Sequence, residues 1–271
     1  MAMKSVTVLS SEPAVSADET VRDVVYAEHL EGGIEVVYLN QPHKKNAISA
    51  EMMDKLDQVL RQADLSDEVR VVVLRGVGEN FSSGGDLNQG PSAPGPEGSR
   101  KTLRRYLSVV RTVRTMAKPV IAMVDGYAVG GAFALTLAAD LVCASERALF
   151  VPAFCQIGII PEMGMMKLLP ELVGQQRAKE VLFFGGKIPA AQLQDWGLVN
   201  RVFPSDVLEK ETLAFARQLA AMPDASIQIT KNIMNALSDG NLEACLEAES
   251  TASPFCTTTK AYAATMEKFA R

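Results

Sequence analysis

The sequence predicts a mixed α/β protein, with a core of buried strands and crossover helices followed by a helical C-terminal region. Three observations carry that prediction. Short, nearly continuous apolar runs such as "VRVVVLRG" (69–76) and "PVIAMVDG" (119–126) read as strands buried on both faces. The order strand, glycine-rich turn, helix occurs twice, the pattern of right-handed crossovers in one core. From about Ser205 onward the apolar spacing is helical.

The elements follow in order. Residues 1–20 read as a flexible extension. "VVYAEHLEGGIEVVYLN" (24–40) gives two β-branched runs around a Gly-Gly turn, a hairpin signal. After the polar loop "QPHKKNAIS" a helix is expected from near Ser49, which caps it, with Met52, Met53, Leu56, Val59 and Leu60 on one face. "NQGPSAPGPEGS" (88–99) reads as a Gly/Pro/Ser-rich loop, and a helix is expected over 100–116. Strand "PVIAMVDG", helix "GGAFALTLAAD" and strand "LVCAS" complete the core. The tail carries four helical stretches: "VLEKETLAFARQLAAM", "ASIQITKNIMNALSDG", "LEACLEAESTA" and "TKAYAATMEKFA". The expected division is an extension (1–20), a core (21–204) and a helical oligomerisation region (205–271), the last needing a surface to pack on such as another subunit.

Composition excludes several functions. With 271 residues, 48% hydrophobic and 22% charged, the chain suits a soluble globular protein. A formal charge of -5 and a pI near 5.3 argue against nucleic acid as the main partner. Cys143, Cys155, Cys245 and Cys256 show neither CxxC pairing nor zinc spacing, so reduced thiols in a cytoplasmic compartment are expected. Two histidines, His29 and His43, leave a His-rich metal site or Ser-His-Asp chemistry without material, and no metal is expected. His43, after a proline in a polar loop, reads as exposed. The N-terminus lacks a secretory pattern, and the apolar span Val120 to Ala139 is broken by Asp125 and by the glycines at 126, 130 and 131. No membrane partner is therefore expected.

Two glycine turns carry candidate chemistry. "FSSGGDL" (81–87) follows a buried strand, and "GYAVGGAFA" (126–134) opens a helix. Each presents backbone N–H groups with no side chain in the way, and two such donors aimed at one oxygen form an oxyanion hole. Tight turns or close packing explain either motif equally well when taken alone. Neither is a phosphate loop, because no GK[ST] follows. Glu162, in "GIIPEMGM" (158–165), is one acid in an apolar stretch. It is open to two readings: a surface carboxylate in the first turn of a helix, satisfying the dipole, or an acid set against an apolar pocket to move protons.

With "NQPHKKNAIS", "FSSGGDL", "KPVIAMVDGYAVGGAFALTLAADLVCAS", "IGIIPEMGMMKLLPELVG" and "AQLQDWGLVNRVFP" in that order, the chain resembles the crotonase (enoyl-CoA hydratase/isomerase) superfamily from about Val24 onward. The resemblance implies a spiral of β-β-α repeats with a C-terminal helical trimerisation region, assembled as a homotrimer or dimer of trimers. It implies an acyl-coenzyme A substrate and no separate cofactor. The thioester oxygen would lie between the N–H groups of Gly85 and Gly131. Substrate would pass the loop residues His43, Lys44, Asn46 and Ala47, then Ser83, Gly84, Asp86 and Leu87, with Lys268 reaching a phosphate. Asp86 also reads as a tether for its own loop.

The two glutamates of family hydratases would align with Ala134 and Phe154, neither of which transfers a proton. Glu162, after Pro161, falls where Δ3,Δ2-enoyl-CoA isomerases carry their glutamate. Aligned there too are the aspartate of bacterial ring isomerases and the nucleophilic aspartate of 4-chlorobenzoyl-CoA dehalogenase. The expectation is thus an isomerase that shifts a 3-enoyl to a 2-enoyl thioester. Ring isomerisation, hydratase-like or dehalogenase-like chemistry and a non-catalytic acyl-CoA-binding subunit are the alternatives. Dehalogenases also rely on a histidine near the site, and this chain has none after His43.

Overall fold

The computed structural model describes residues 23–89 and 94–238, then 242–243, 246–247, 250–251, 254, 257–258 and 260–269. The N-terminal extension, the middle of the 88–99 loop and much of "LEACLEAESTA" lie outside the described residues.

Apolar alternation builds the main sheet. Strands β1 (Val25–Leu30) and β2 (Ile34–Leu39) form the expected hairpin, paired antiparallel from Val25↔Leu39 to Leu30↔Ile34. Strands β3 (Val71–Gly76), β4 (Val120–Val124), β6 (Leu141–Ser145) and β9 (Arg201–Phe203) add in parallel, giving the order β1-β2-β3-β4-β6-β9. Because successive side chains alternate between faces, Val37, Leu39, Val72, Leu74, Ala122 and Val142 point to one side. Ile34, Val36, Val71, Val73, Ile121 and Cys143 point to the other.

The first face is covered by α1 (Ala50–Leu65), α2 (Gly95–Thr115) and α3 (Gly131–Ala138). Ser49 caps α1 as expected, its Oγ accepting the Met52 N–H at 3.0 Å. Asp57 joins α1 to α2 by accepting hydrogen bonds from Ser108 and Thr112. Asp64 accepts the N–H groups of Ala117 (2.7 Å) and Lys118 (3.3 Å), fixing the entry to β4.

The second face is covered by α7 (Leu208–Ala220), through Leu208, Ala216 and Ala220. The expected boundary at 204/205 is therefore not a packing boundary: α7 is a layer of the core. Two further differences concern short elements. Helix α2 starts at Gly95, five residues before the expected position, because Pro96 sits at its first turn, where a missing N–H costs nothing. A second sheet, β5 (Tyr127–Val129), β7 (Leu149–Val151) and β8 (Ile188–Pro189), was not anticipated. Strands of two or three residues are too short to show a period.

Helices α4 (Met165–Val173), α5 (Gln175–Phe184) and α6 (Ala190–Asp195) link the small sheet to β9. Helix α8 (Asp224–Ser238) is anchored by Lys231. Its buried ammonium donates to the carbonyls of Val113 and Lys118 (both 2.9 Å) and pairs with Asp140 at 2.8 Å. Helix α9 (Lys260–Phe269) contacts the short 3-10 turn Cys155–Ile157. No helix among the described residues is long and apolar enough to cross a membrane, and they hold no cluster of three or more metal-ligating side chains.

Candidate active site

The site is built where three loops meet at one end of β3, β4 and β5. The first runs from Pro42 to Ser49. A 3-10 turn (Pro42–Lys44) is followed by two left-handed residues, Lys45 (φ 51°) and Asn46 (φ 55°). Asn46 is held there by its buried side chain, which accepts the Gln41 N–H (2.9 Å) and donates to the carbonyls of Val77 (3.0 Å) and Asn80 (2.8 Å). Its amide is thus committed to shaping the loop, and only the neighbours it positions face outward. His43, Lys44 and Lys45 are exposed, whereas Ala47 is buried.

The second loop, 81–87, lies between the first loop and β5. Ser82 N–H donates to Tyr127 C=O (2.8 Å), and Val129 N–H donates to Ser82 C=O (3.1 Å), a parallel pairing that carries 82–85 alongside 127–130. On the other side Ile48 N–H donates to Gly84 C=O (2.7 Å), Asp86 N–H donates to Ile48 C=O (2.9 Å), and Ser83 N–H donates to Lys45 C=O (2.9 Å). Gly84 has φ 84°, and a β-carbon there would sit 2.6 Å from the Val129 carbonyl oxygen. Only glycine lets these two segments approach so closely.

Their alignment brings Gly85 toward the start of α3. The N–H groups flanking the two candidate donors are used: Gly84 donates to Ser82 Oγ (3.1 Å) and Gly130 to Val151 C=O (2.8 Å). Among the described residues, no hydrogen bond is made by the N–H of Gly85 or of Gly131. Gly85 is exposed with open space where a β-carbon would lie, and Gly131 opens α3, where N–H groups lack intrahelical partners. Ile48 touches both turns, bridging to Gly85 and placing Cδ1 3.7 Å from the position of a Gly131 β-carbon.

Asp86, 8% exposed, accepts from Lys44 Nζ (3.1 Å) and from the Asn88 N–H (3.0 Å). It ties the first loop to the second. Ser83 Oγ donates to the Lys44 carbonyl (3.1 Å), a further tie, while Leu87 projects outward at 42% exposure.

The third loop is 154–164. Phe154 is buried, its ring 3.7 Å from where a Gly130 β-carbon would lie, and Ala134 on α3 is fully buried. Pro161 is buried and Glu162 half-buried. Glu162 does not stand in the first turn of a helix, as one sequence reading had it: α4 starts at Met165, and 163–164 form a turn of two left-handed residues. The dipole contribution expected there is correspondingly reduced, since it fades beyond the first turn.

Two tyrosines that the sequence reading missed lie within reach of the Glu162 charge. Burial, then the negative charge of Glu162, with a smaller push from Asp86, drives the Tyr106 phenol of α2 up to about 12. Burial and Glu162 also raise Tyr262 of α9. The Tyr106 phenol thus feels the charges of both Glu162 and Asp86. No spacing rule separates these tyrosines from ordinary amphipathic-helix positions.

A cationic rim stands beside the first loop. Lys45 Nζ and Lys187 Nζ lie 5.8 Å and 5.7 Å from the centroid of the Tyr127 ring. Lys268 is exposed in the last turn of α9. Other singled-out residues are occupied elsewhere: Asp125 pairs with Arg147 (2.6 Å), Asp140 with Lys231, and Trp196 lies under the Arg177 guanidinium at 4.7 Å.

Comparison with known proteins agrees with this geometry. The sequence model of the enoyl-CoA hydratase/isomerase family matches residues 29–270. The chain belongs to that family. It is 33% identical over 224 residues to the 1,2-epoxyphenylacetyl-CoA isomerase of Escherichia coli (strain K12), covering 82% of this chain and 86% of that one. It is 35% identical over 233 residues to the enoyl-CoA delta isomerase 2 of Rattus norvegicus, covering 85% of this chain and 58% of the rat protein. A crystal structure of an enoyl-CoA hydratase from Mycobacterium avium subsp. paratuberculosis K-10 superposes with a TM-score of 0.83 at 27% identity, covering 91% and 95% of the two chains. The fold is that of the crotonase superfamily, and the family's chemistry is performed on acyl-CoA thioesters.

Proposed function

We propose that this family member is an enoyl-CoA isomerase that moves a double bond from the 3- to the 2-position of an acyl-CoA. What supports this reading is Glu162 in the third site loop, the N–H groups of Gly85 and Gly131 that make no hydrogen bond among the described residues, and the burial of Ala134 and Phe154, which the family resemblance aligns with the hydratase acids. The relatives named as isomerases support it.

In this mechanism the thioester oxygen accepts the N–H groups of Gly85 and Gly131. Glu162 takes a proton from C2, and the C–H electrons flow into a dienolate whose negative oxygen the two donors stabilise, by about 3 kcal/mol per donor. The same carboxyl returns the proton to C4, leaving the double bond conjugated with the thioester. One carboxylate suffices because C2 and C4 are close neighbours, and no water enters the stoichiometry. The lysines at 44, 45, 187 and 268 supply positive charge for the phosphates of coenzyme A. Exposed Ile229, Ile233 and Met234 on α8 give the apolar contacts of a homotrimer or a dimer of trimers.

The test is conversion of a 3-enoyl-CoA, followed by the absorbance of the conjugated thioester. Wild-type protein is expected to conjugate the double bond, Glu162→Gln to lose at least about 100-fold of that rate, and neither to add water to crotonyl-CoA at a hydratase-like rate. Rapid hydration would return the chain to the hydratases.

A further inference from the structure

Two lysines from separate parts of the chain share one aromatic ring. Lys45 Nζ lies 5.8 Å and Lys187 Nζ 5.7 Å from the centroid of Tyr127, both within the range in which a ring attracts an ammonium. Both lysines are exposed. Neither forms an ion pair among the described residues, whereas neighbouring Lys44 is tied to Asp86 at 3.1 Å.

The backbone fixes all three residues. Lys45, left-handed at φ 51°, donates its N–H to the Pro42 carbonyl (2.9 Å) and accepts the Ser83 N–H (2.9 Å). Lys187 directly precedes β8, whose Ile188 pairs with Phe150 of β7, and Leu149 of β7 pairs with Tyr127. Tyr127 donates its N–H to Asn80 Oδ1 (3.2 Å) and accepts the Ser82 N–H (2.8 Å).

Two like charges gathered at one ring repel each other, a cost that the negative face of the ring lowers and that an anion between them removes. A phosphate monoester carries close to two negative charges at neutral pH and three acceptor oxygens, matching two ammonium donors. The pair stands apart from the chemistry: Tyr127 opens β5 and Gly131 opens α3, on the order of 10 Å away along an extended chain. An anion held there belongs to the remote end of a bound thioester.

Resting on the acyl-CoA reading above, we propose that Tyr127 is a positioning residue, whose ring gathers Lys45 and Lys187 into a two-cation seat for a phosphate group at the nucleotide end of the substrate.

The test is calorimetric binding of butyryl-CoA, its 3′-dephospho form and butyryl-pantetheine, which share the acyl group and require no turnover. Lys45→Gln combined with Lys187→Gln is expected to weaken butyryl-CoA binding about 10-fold and to flatten its salt dependence. Tyr127→Leu is expected to weaken it about 5-fold, the scale of two exposed cation–π contacts, and Tyr127→Phe, which keeps the ring, to stay within about 2-fold of wild type. Butyryl-pantetheine is expected to bind all of these variants as it binds wild type, whereas a merely structural role for the ring would weaken it too. The dephospho thioester identifies the phosphate. A wild-type loss that the double lysine variant no longer shows assigns the 3′-phosphate, and wild-type affinity that this variant still reduces assigns the pyrophosphate; both support the seat. Butyryl-CoA affinity unchanged in Tyr127→Leu or in the double lysine variant, or a loss shared equally by butyryl-pantetheine, overturns the inference while leaving the acyl-CoA reading intact. If wild type binds none of the three thioesters, the acyl-CoA reading itself falls, and this inference with it.

Discussion

At the scale of single residues, the site depends on what surrounds Glu162 as much as on the acid itself. Glu162 stands between buried Pro161 and Met163, and its charge is felt by the tyrosines of α2 and α9. Tyr106 stays a neutral phenol at neutral pH because burial and the Glu162 charge hold its ionisation near 12. The sign of the linkage follows. The folded value lies above the ordinary 10.0, so the unfolded chain loses that proton first. Stability from this group is complete below pH 10 and is lost as pH climbs toward 12. Tyr38, raised to about 12 by burial and Glu28, acts in the same direction. Titration of tyrosinate absorbance is expected to show a late component that shrinks in Tyr106→Phe, with Tyr38 supplying the remainder. An unchanged late component in that variant would place the slow-ionising phenol elsewhere.

At the scale of elements, α8 is held by one cation. Lys231 gathers the carbonyls of Val113 in α2 and Lys118 just before β4, and the Asp140 carboxylate, which also accepts the Val120 N–H at 2.7 Å. Removing the buried ammonium leaves the half-buried Asp140 without its counter-charge. Lys231→Met is therefore expected to cost about 3 kcal/mol, measured as a shift in the urea midpoint. A cost below ~1 kcal/mol would mean that apolar packing carries the helix instead.

The elements that were legible in the sequence are those with enough residues to show a pattern. Strands β1 to β4 and β6 were read from apolar runs, and α1 from its serine cap and spaced apolar face. The small sheet was not legible, because β8 has two residues and its partners three. Nor was the role of α7, since an amphipathic helix looks the same whether it covers its own sheet or a neighbouring subunit.

At the scale of the whole molecule, the three site loops, 42–49, 81–87 and 154–164, lie far apart along the chain, and only the sheet brings them together. The two glycine turns were recognisable from composition, but not which of their N–H groups remain unused. That depends on pairing between segments 82–85 and 127–130, a tertiary fact. Asn46 shows the converse: its motif pointed to substrate, whereas its side chain is spent on Gln41 in its own loop and on the carbonyls of Val77 and Asn80 beyond β3. The proposed isomerisation rests on subtraction: the positions that the family resemblance aligns with the hydratase acids hold buried Ala134 and Phe154, whereas Glu162 keeps a carboxylate in the third loop.

The most direct measurement of that claim is exchange of the C2 protons of a saturated acyl-CoA in deuterated water, followed by mass spectrometry. Wild-type protein is predicted to incorporate deuterium at C2, and Glu162→Gln to do so at least about 100-fold more slowly while still binding the thioester. Exchange at the wild-type rate in Glu162→Gln would contradict the account and assign the proton transfer to another group.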